Sequence, residues 1–161
     1  MTRTLVALTI VSALGSGLVA GVFFAFSTFV MGALGRLAPG QGIAAMQSIN
    51  VVVINPWFFA AFFGTAVGCL VLAVFGLFNW SQPGTLCLLA GSALYLLGSI
   101  LVTMAFNVPL NDALAAVAPD STDGTILWTR YLSVWTSWNH VRTAGSLAAA
   151  ASFIMAALRM P

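Results

Sequence analysis

Three short polar segments interrupt an otherwise apolar chain of 161 residues. The first contains Gln47 and Asn50, which are three residues apart and therefore share one face of a helix. The second is Asn107-Val108-Pro109-Leu110-Asn111-Asp112, at the end of a long apolar run. Polar side chains in or beside a membrane span are costly, and by default they mark function. The third segment is a polar-aromatic stretch containing Tyr131, Trp135, Trp138, Asn139, His140 and Arg142.

These residue types fit proton transfer and the binding of an anion. His140 is the only histidine, and an imidazole titrates near neutral pH, which suits a general base. Arg142 and the amides of Asn139, Asn107 and Asn111 can stabilise a developing oxyanion. One histidine and three acidic residues are a poor set of metal ligands. We therefore expect no metal ion. No Gly-rich phosphate-binding loop is visible in the sequence, and we expect no organic cofactor either.

Helical geometry restricts how the third segment can act. At about 100° per residue, Trp135, Asn139 and Arg142 fall within one narrow arc, and His140 falls in another about a quarter turn away. His140 and Arg142 therefore do not both point at one atom unless Arg142 bends. One of them would line a pocket and the other would support it. A purely structural interpretation stays open, with Trp135 and Trp138 in an interfacial aromatic belt and the amides in interhelical hydrogen bonds.

The composition indicates the solvent in which these residues must work. Hydrophobic residues make up 61% of the chain and charged residues 5%, with five basic and three acidic side chains. Soluble domains carry about 25% charged residues, so a cytosolic globular protein is excluded. Intrinsic disorder is excluded because it requires low hydrophobicity. Nucleic-acid binding is excluded because it requires a basic patch, which five scattered basic residues do not form. The chain is predicted to be an integral membrane protein.

The apolar runs predict a single membrane domain, 1-161, that is an all-α four-helix bundle. A span needs about 20 apolar residues. The fourth run is short, so its helix must begin near Thr125, and helices should extend beyond the bilayer on one side. Pro109 disfavours helix at Val108, so the third helix should break or kink there. The predicted spans are 5-35, 56-78, 85-106 and 138-160, with a polar headpiece from 36-55 and 107-137.

Four spans place the two termini on one face of the membrane and all three polar segments on the other. The loop on that other face is long and holds all the acidic residues. We therefore expect an inner or plasma membrane protein with both termini cytoplasmic. The small residues Ala13, Gly17, Gly21 and Ala25 recur every four positions and predict a packing seam on the first helix. The converging segments predict a pocket for a hydrophobic small molecule, with substrate contacts from Gln47, Asn50, Tyr131, Trp135 and Trp138.

Four sequence motifs in this order resemble the anthrone oxygenase-like family of small four-span membrane proteins. They are Ala20-Gly21-Val22-Phe23-Phe24-Ala25-Phe26-Ser27, Met46-Gln47-Ser48-Ile49-Asn50, Asn107-Val108-Pro109-Leu110-Asn111 and Trp135-Thr136-Ser137-Trp138-Asn139-His140-Val141-Arg142-Thr143. Characterised fungal members oxidise anthrones to anthraquinones with O₂, whereas many bacterial members have no assigned role.

The resemblance implies that a phenolic substrate enters from the bilayer. His140 would take its proton, and Asn139, Asn107 or Asn111 with Arg142 would stabilise the anion that reacts with O₂. The alternative is a non-catalytic membrane subunit that binds a quinone, lipid, pigment or larger complex. A transporter is disfavoured because neither paired intramembrane charges nor inverted repeats are evident. Association into a homo-oligomer or a larger membrane complex stays open.

Overall fold

The structure is a computed structural model that describes residues 3–160. Within that range it contains five helices and no strand. Four of the helices are long and apolar enough to cross a membrane, which confirms the all-α, four-span prediction. The helices are α1 (Arg3–Leu34), α2 (Pro39–Val52), α3 (Pro56–Phe78), α4 (Thr85–Ala115) and α5 (Thr122–Arg159).

Local capping chemistry sets where α3 and α5 begin. The side chain of Asn55 accepts hydrogen bonds from the backbone N–H groups of Trp57 and Phe58, at 3.1 and 3.0 Å. Pro56 occupies the first helical position, where a missing N–H costs nothing. Ser121 caps α5 by accepting from the N–H of Gly124 at 2.9 Å. These caps satisfy backbone donors that have no partner inside the helix.

Helix α5 is the central element of the fold. It has 38 residues and is therefore about 57 Å long, well beyond the roughly 30 Å of a hydrocarbon core. It packs against α1 and α4 along the bundle and against α2 near its N-terminal end. That end contributes to a separate apolar cluster formed by Met31, Leu34, Ile43, Met46, Leu114, Trp128, Tyr131 and Trp135.

Helix α4 does not end at residue 106, in contrast to the prediction from Pro109. Val108 keeps helical angles, φ −61° and ψ −48°, and the helix continues to Ala115. A π-helical segment, Thr103–Asn107, lies immediately before the proline. The wider π turn changes the hydrogen-bonding register where proline removes a donor, so the helix continues past it. Such segments occur often at functional sites, and α1 contains another at Phe26–Val30.

Two glycines of the packing seam predicted on α1 do not lie at a close helix crossing. A Cβ atom added at Gly17 or Gly21 would meet no heavy atom within 4 Å, so these two residues do not form a packing seam within residues 3–160. A Cβ at Gly98 would lie 3.1 Å from the Cα of Gly145. This pair lets α4 and α5 approach closely. On α1, the buried side passes through Ser12 and Ser16 instead.

Candidate functional site

A cavity of about 520 Å³ lies where α1, α2, α3, α4 and α5 meet. Its size is within the range of small-molecule sites, and most of its wall is apolar. Phe58 and Phe62 stack on each other with ring centroids 5.5 Å apart. The ring centroids of Phe26 on α1 and Trp135 on α5 lie 5.7 Å apart in the cavity wall. The polar side chains that line the cavity are those of Gln47, Asn50, Thr103, Asn111, Asp112 and Arg142.

Arg142 brings a buried positive charge to this cavity. Its side chain is only 5% exposed. The guanidinium donates to Asn139 Oδ1 at 2.6 Å and to Thr103 Oγ1 at 3.3 Å, and both partners are neutral. Its centre lies 4.2 Å from the ring of Phe23 and 4.9 Å from that of Trp135. The Nε–H group is buried and has no hydrogen-bond partner within residues 3–160.

Asn139 holds the guanidinium in place rather than lining the cavity. Its amide nitrogen donates to the carbonyl oxygen of Phe23 at 2.7 Å and to Ser27 Oγ at 2.8 Å. Its oxygen accepts from Arg142, so the side chain connects α1 to the cation. Ser27 lies in the π-helical segment of α1 and also hydrogen-bonds with Thr143 at 3.0 Å. The network is anchored at both ends and fixes the arginine orientation.

Asn111 presents a hydrogen-bond donor to the cavity. Its oxygen accepts from Tyr131 Oη at 2.7 Å and from Trp135 Nε1 at 2.8 Å. A flipped amide would place its NH₂ group against these two donors, so the contacts fix the orientation. The NH₂ group is therefore the part of Asn111 that remains for a ligand. Tyr131 is fully buried and is not part of the cavity wall.

The two amides of α2 both line the cavity, but they differ in their contacts. Gln47 Nε2 donates to the carbonyl oxygens of Leu114 and Val117, at 2.8 and 3.1 Å. It therefore ties α2 to the end of α4. Asn50 is half-buried and faces the cavity from the next turn.

Three other predicted site residues lie outside the cavity wall. Asn107 is fully buried and donates to the carbonyl oxygen of Trp135 at 3.1 Å, so it braces α4 against α5. Trp138 stacks on Phe106 with ring centroids 3.6 Å apart. His140 is exposed and does not line the cavity. Helices α1 and α4 pack against the side of α5 that contains Arg142, and His140 lies on the other arc. A ligand bound in the cavity would therefore not contact His140, the predicted general base.

The cavity also contains residues to which the sequence assigned no role. Thr103 contacts Arg142, and Asp112 supplies a carboxylate. The position of Asp112, directly after Asn111, was the available signal. Phe58 and Phe62 are four residues apart on α3, a spacing that places two rings on one helix face. No three His, Cys, Asp or Glu side chains within residues 3–160 are placed to hold a metal ion. A reaction without metal or cofactor stays a prediction.

The fold and cavity define a class of protein: a small integral membrane protein with a buried cation in an aromatic-walled pocket. The family model described as anthrone oxygenase matches residues 57–152, well over half of the chain. The chain belongs to the anthrone oxygenase family. The match includes Thr103, Asn111 and Arg142, whereas Gln47 and Asn50 on α2 precede it. Comparison with curated proteins and with solved structures gave no match.

Proposed function

We propose that this protein oxidises an anthrone or a related phenolic polyketide with O₂ in the membrane. The balanced reaction is anthrone plus O₂ giving anthraquinone plus water. The observation that carries the proposal is the buried guanidinium of Arg142, which faces an aromatic cavity and has only neutral partners. A buried charge without a counter-charge is costly, and an anionic ligand would offset that cost.

Each part of the cavity has a role in this reaction. The aromatic walls sandwich the fused rings of the substrate. Arg142 donates to the oxygen that becomes negatively charged when the substrate loses a proton, which stabilises the enolate. The carbanion carbon then forms a C–O bond with O₂, and the resulting peroxide anion takes up one proton to give a hydroperoxide. Loss of water from that hydroperoxide leaves the second carbonyl group of the quinone.

The substrate enters from the bilayer in this proposal. Helix α3 packs against the first part of α4, Thr85 to Leu101, and the cavity lies beside the second part. Three apolar residues at its edge are strongly exposed: Ile54 at 65%, Phe63 at 45% and Met104 at 63%. A hydrophobic molecule dissolved in lipid would meet this edge without crossing water. We also propose an inner or plasma membrane with cytoplasmic termini, which places the cavity towards the opposite face.

The test is oxygen uptake by the detergent-purified chain supplied with an anthrone. We expect one O₂ consumed for each anthraquinone formed, above the rate in detergent alone. Ala115 lines the cavity and its neighbour Ala116 does not, although both are exposed. Ala115→Trp should therefore lower turnover at least tenfold by filling the cavity, and Ala116→Trp should leave it unchanged.

Other outcomes of this experiment would contradict the proposal. Equal turnover in the two tryptophan variants would mean that the cavity is not the site of reaction. Uptake equal to the detergent blank, together with a quinone, lipid or pigment that co-purifies with the chain, would favour the non-catalytic binding protein instead.

A further inference from the structure

We propose that Asp112 is the proton acceptor of the reaction, a role that rests on the proposed function. Asp112 and Arg142 are the only charged side chains among the residues that line the cavity. They are of opposite sign and lie on different helices, α4 and α5. No other titratable group of residues 3–160 belongs to the cavity wall. Asp112 is therefore the side chain of the wall that can accept a proton from a bound substrate.

The two charged side chains meet the cavity at different levels along α4. Arg142 is buried and contacts Thr103, whereas Asp112 is exposed and lies nine residues further along α4. Nine residues correspond to about 13 Å along a helix. A fused-ring ketone fits between them with its carbonyl oxygen towards the guanidinium. The acidic C–H group of an anthrone lies across the central ring from that oxygen and would therefore point towards the carboxylate.

The charges balance at each step with this arrangement. The C–H bond breaks and its proton passes to an oxygen of Asp112, which becomes neutral. The electron pair moves into the ring system and onto the carbonyl oxygen, where Arg142 holds the negative charge. Because Asp112 is exposed, it can release the proton to water before the next turnover.

The other candidate bases are less well placed. His140 is exposed and does not line the cavity. Tyr131 donates its hydroxyl hydrogen to Asn111 and lies behind the wall. Asp120 and Asp123 are exposed residues that do not line the cavity either.

The experiment compares Asp112→Asn with Asp123→Asn, a matched change at an exposed carboxylate. We expect Asp112→Asn to lower kcat by about 10² to 10⁴, the usual contribution of a positioned acid or base, with KM changed less than threefold. Asp123→Asn should keep wild-type kcat. Asp112→Glu should recover part of the rate. The rate of Asp112→Asn should also rise with pH as the substrate ionises by itself.

An anaerobic measurement separates this role from the oxygen chemistry. Without O₂, the wild-type chain mixed with the anthrone should produce the absorption band of the enolate, and Asp112→Asn should not. If the wild type forms the enolate and Asp112→Asn does not, but the wild type consumes no O₂, the proposed oxygenase function fails and the role of Asp112 as proton acceptor stands. If the wild type consumes O₂ while Asp112→Asn retains kcat within threefold, Asp112 is not the base and the function stands. A rise in KM with unchanged kcat would also overturn the role, and if the wild type forms neither enolate nor quinone, both proposals fail.

Discussion

Replacing Arg142 by methionine should abolish most turnover while leaving the fold intact. Arg142 is the buried cation of the cavity, and methionine has a similar length and no charge. Hydrogen bonds to a charged group contribute about 1.5–3 kcal/mol each. Loss of one or two such bonds to the substrate anion corresponds to a fall in kcat/KM of about 10- to 10⁴-fold.

The effect of Arg142→Met on stability is the sum of opposing contributions. Asn139 loses the donor at 2.6 Å and keeps a buried oxygen without a partner, which costs about 1–3 kcal/mol. Against this, the variant no longer buries a charge with neutral partners, and the methionine thioether packs well between Phe23 and Trp135. We expect the free energy of unfolding to change by less than about 2 kcal/mol.

The assay is oxygen uptake with an anthrone, together with thermal unfolding of each variant in the same detergent. Arg130 is on the same helix, is exposed and does not line the cavity, so Arg130→Met is the matched control. It should retain wild-type turnover. Turnover by Arg142→Met within threefold of that control would refute the assignment of the anion site. A large loss of stability in Arg142→Met would instead show that the arginine is mainly structural.

Three further predictions follow from the contacts. His140→Ala should change turnover less than about twofold, because His140 does not line the cavity and exposed substitutions usually alter stability by under about 0.5 kcal/mol. A tenfold loss in oxygen uptake would make His140 a candidate base again. Asn111→Ala should lower the free energy of unfolding by about 2–5 kcal/mol, since two buried donors lose their acceptor, whereas Tyr131→Phe should cost about 1 kcal/mol. Equal losses of stability in Asn111→Ala and Tyr131→Phe, measured by thermal unfolding, would contradict this. Gly145→Ala should lower the free energy of unfolding, measured by thermal unfolding, and Gly17→Ala should not. A larger loss of stability in Gly17→Ala than in Gly145→Ala would show that the close approach of α4 and α5 is not required.

The composition and the apolar runs are sufficient to predict that the protein is all-helical and spans a membrane. With 5% charged residues and long apolar runs, the backbone polar groups can be satisfied in lipid only by helices or closed barrels, and the runs have the length of helices. The cap at Asn55 could also be predicted because it depends on four consecutive residues. The common arc of Trp135, Asn139 and Arg142 follows from helical period alone, and all three are buried.

The packing of the helices determines which polar residues form the cavity. The sequence placed His140 and Arg142 on different arcs of α5 but gave no information on which arc faces the bundle. That choice depends on contacts between distant residues, such as Asn139 with Phe23 and Ser27 of α1, 116 and 112 residues away.

The same limit applies to Pro109 and Asp112. The local rule that proline ends a helix was overridden by a π-helical turn, so α4 continues and carries Asn111 and Asp112 to the cavity. A proline inside a helix costs about 3 kcal/mol, and the packing of a whole helix can exceed that cost. The elements could therefore be predicted from short stretches of sequence, whereas the site required the packing of all five helices.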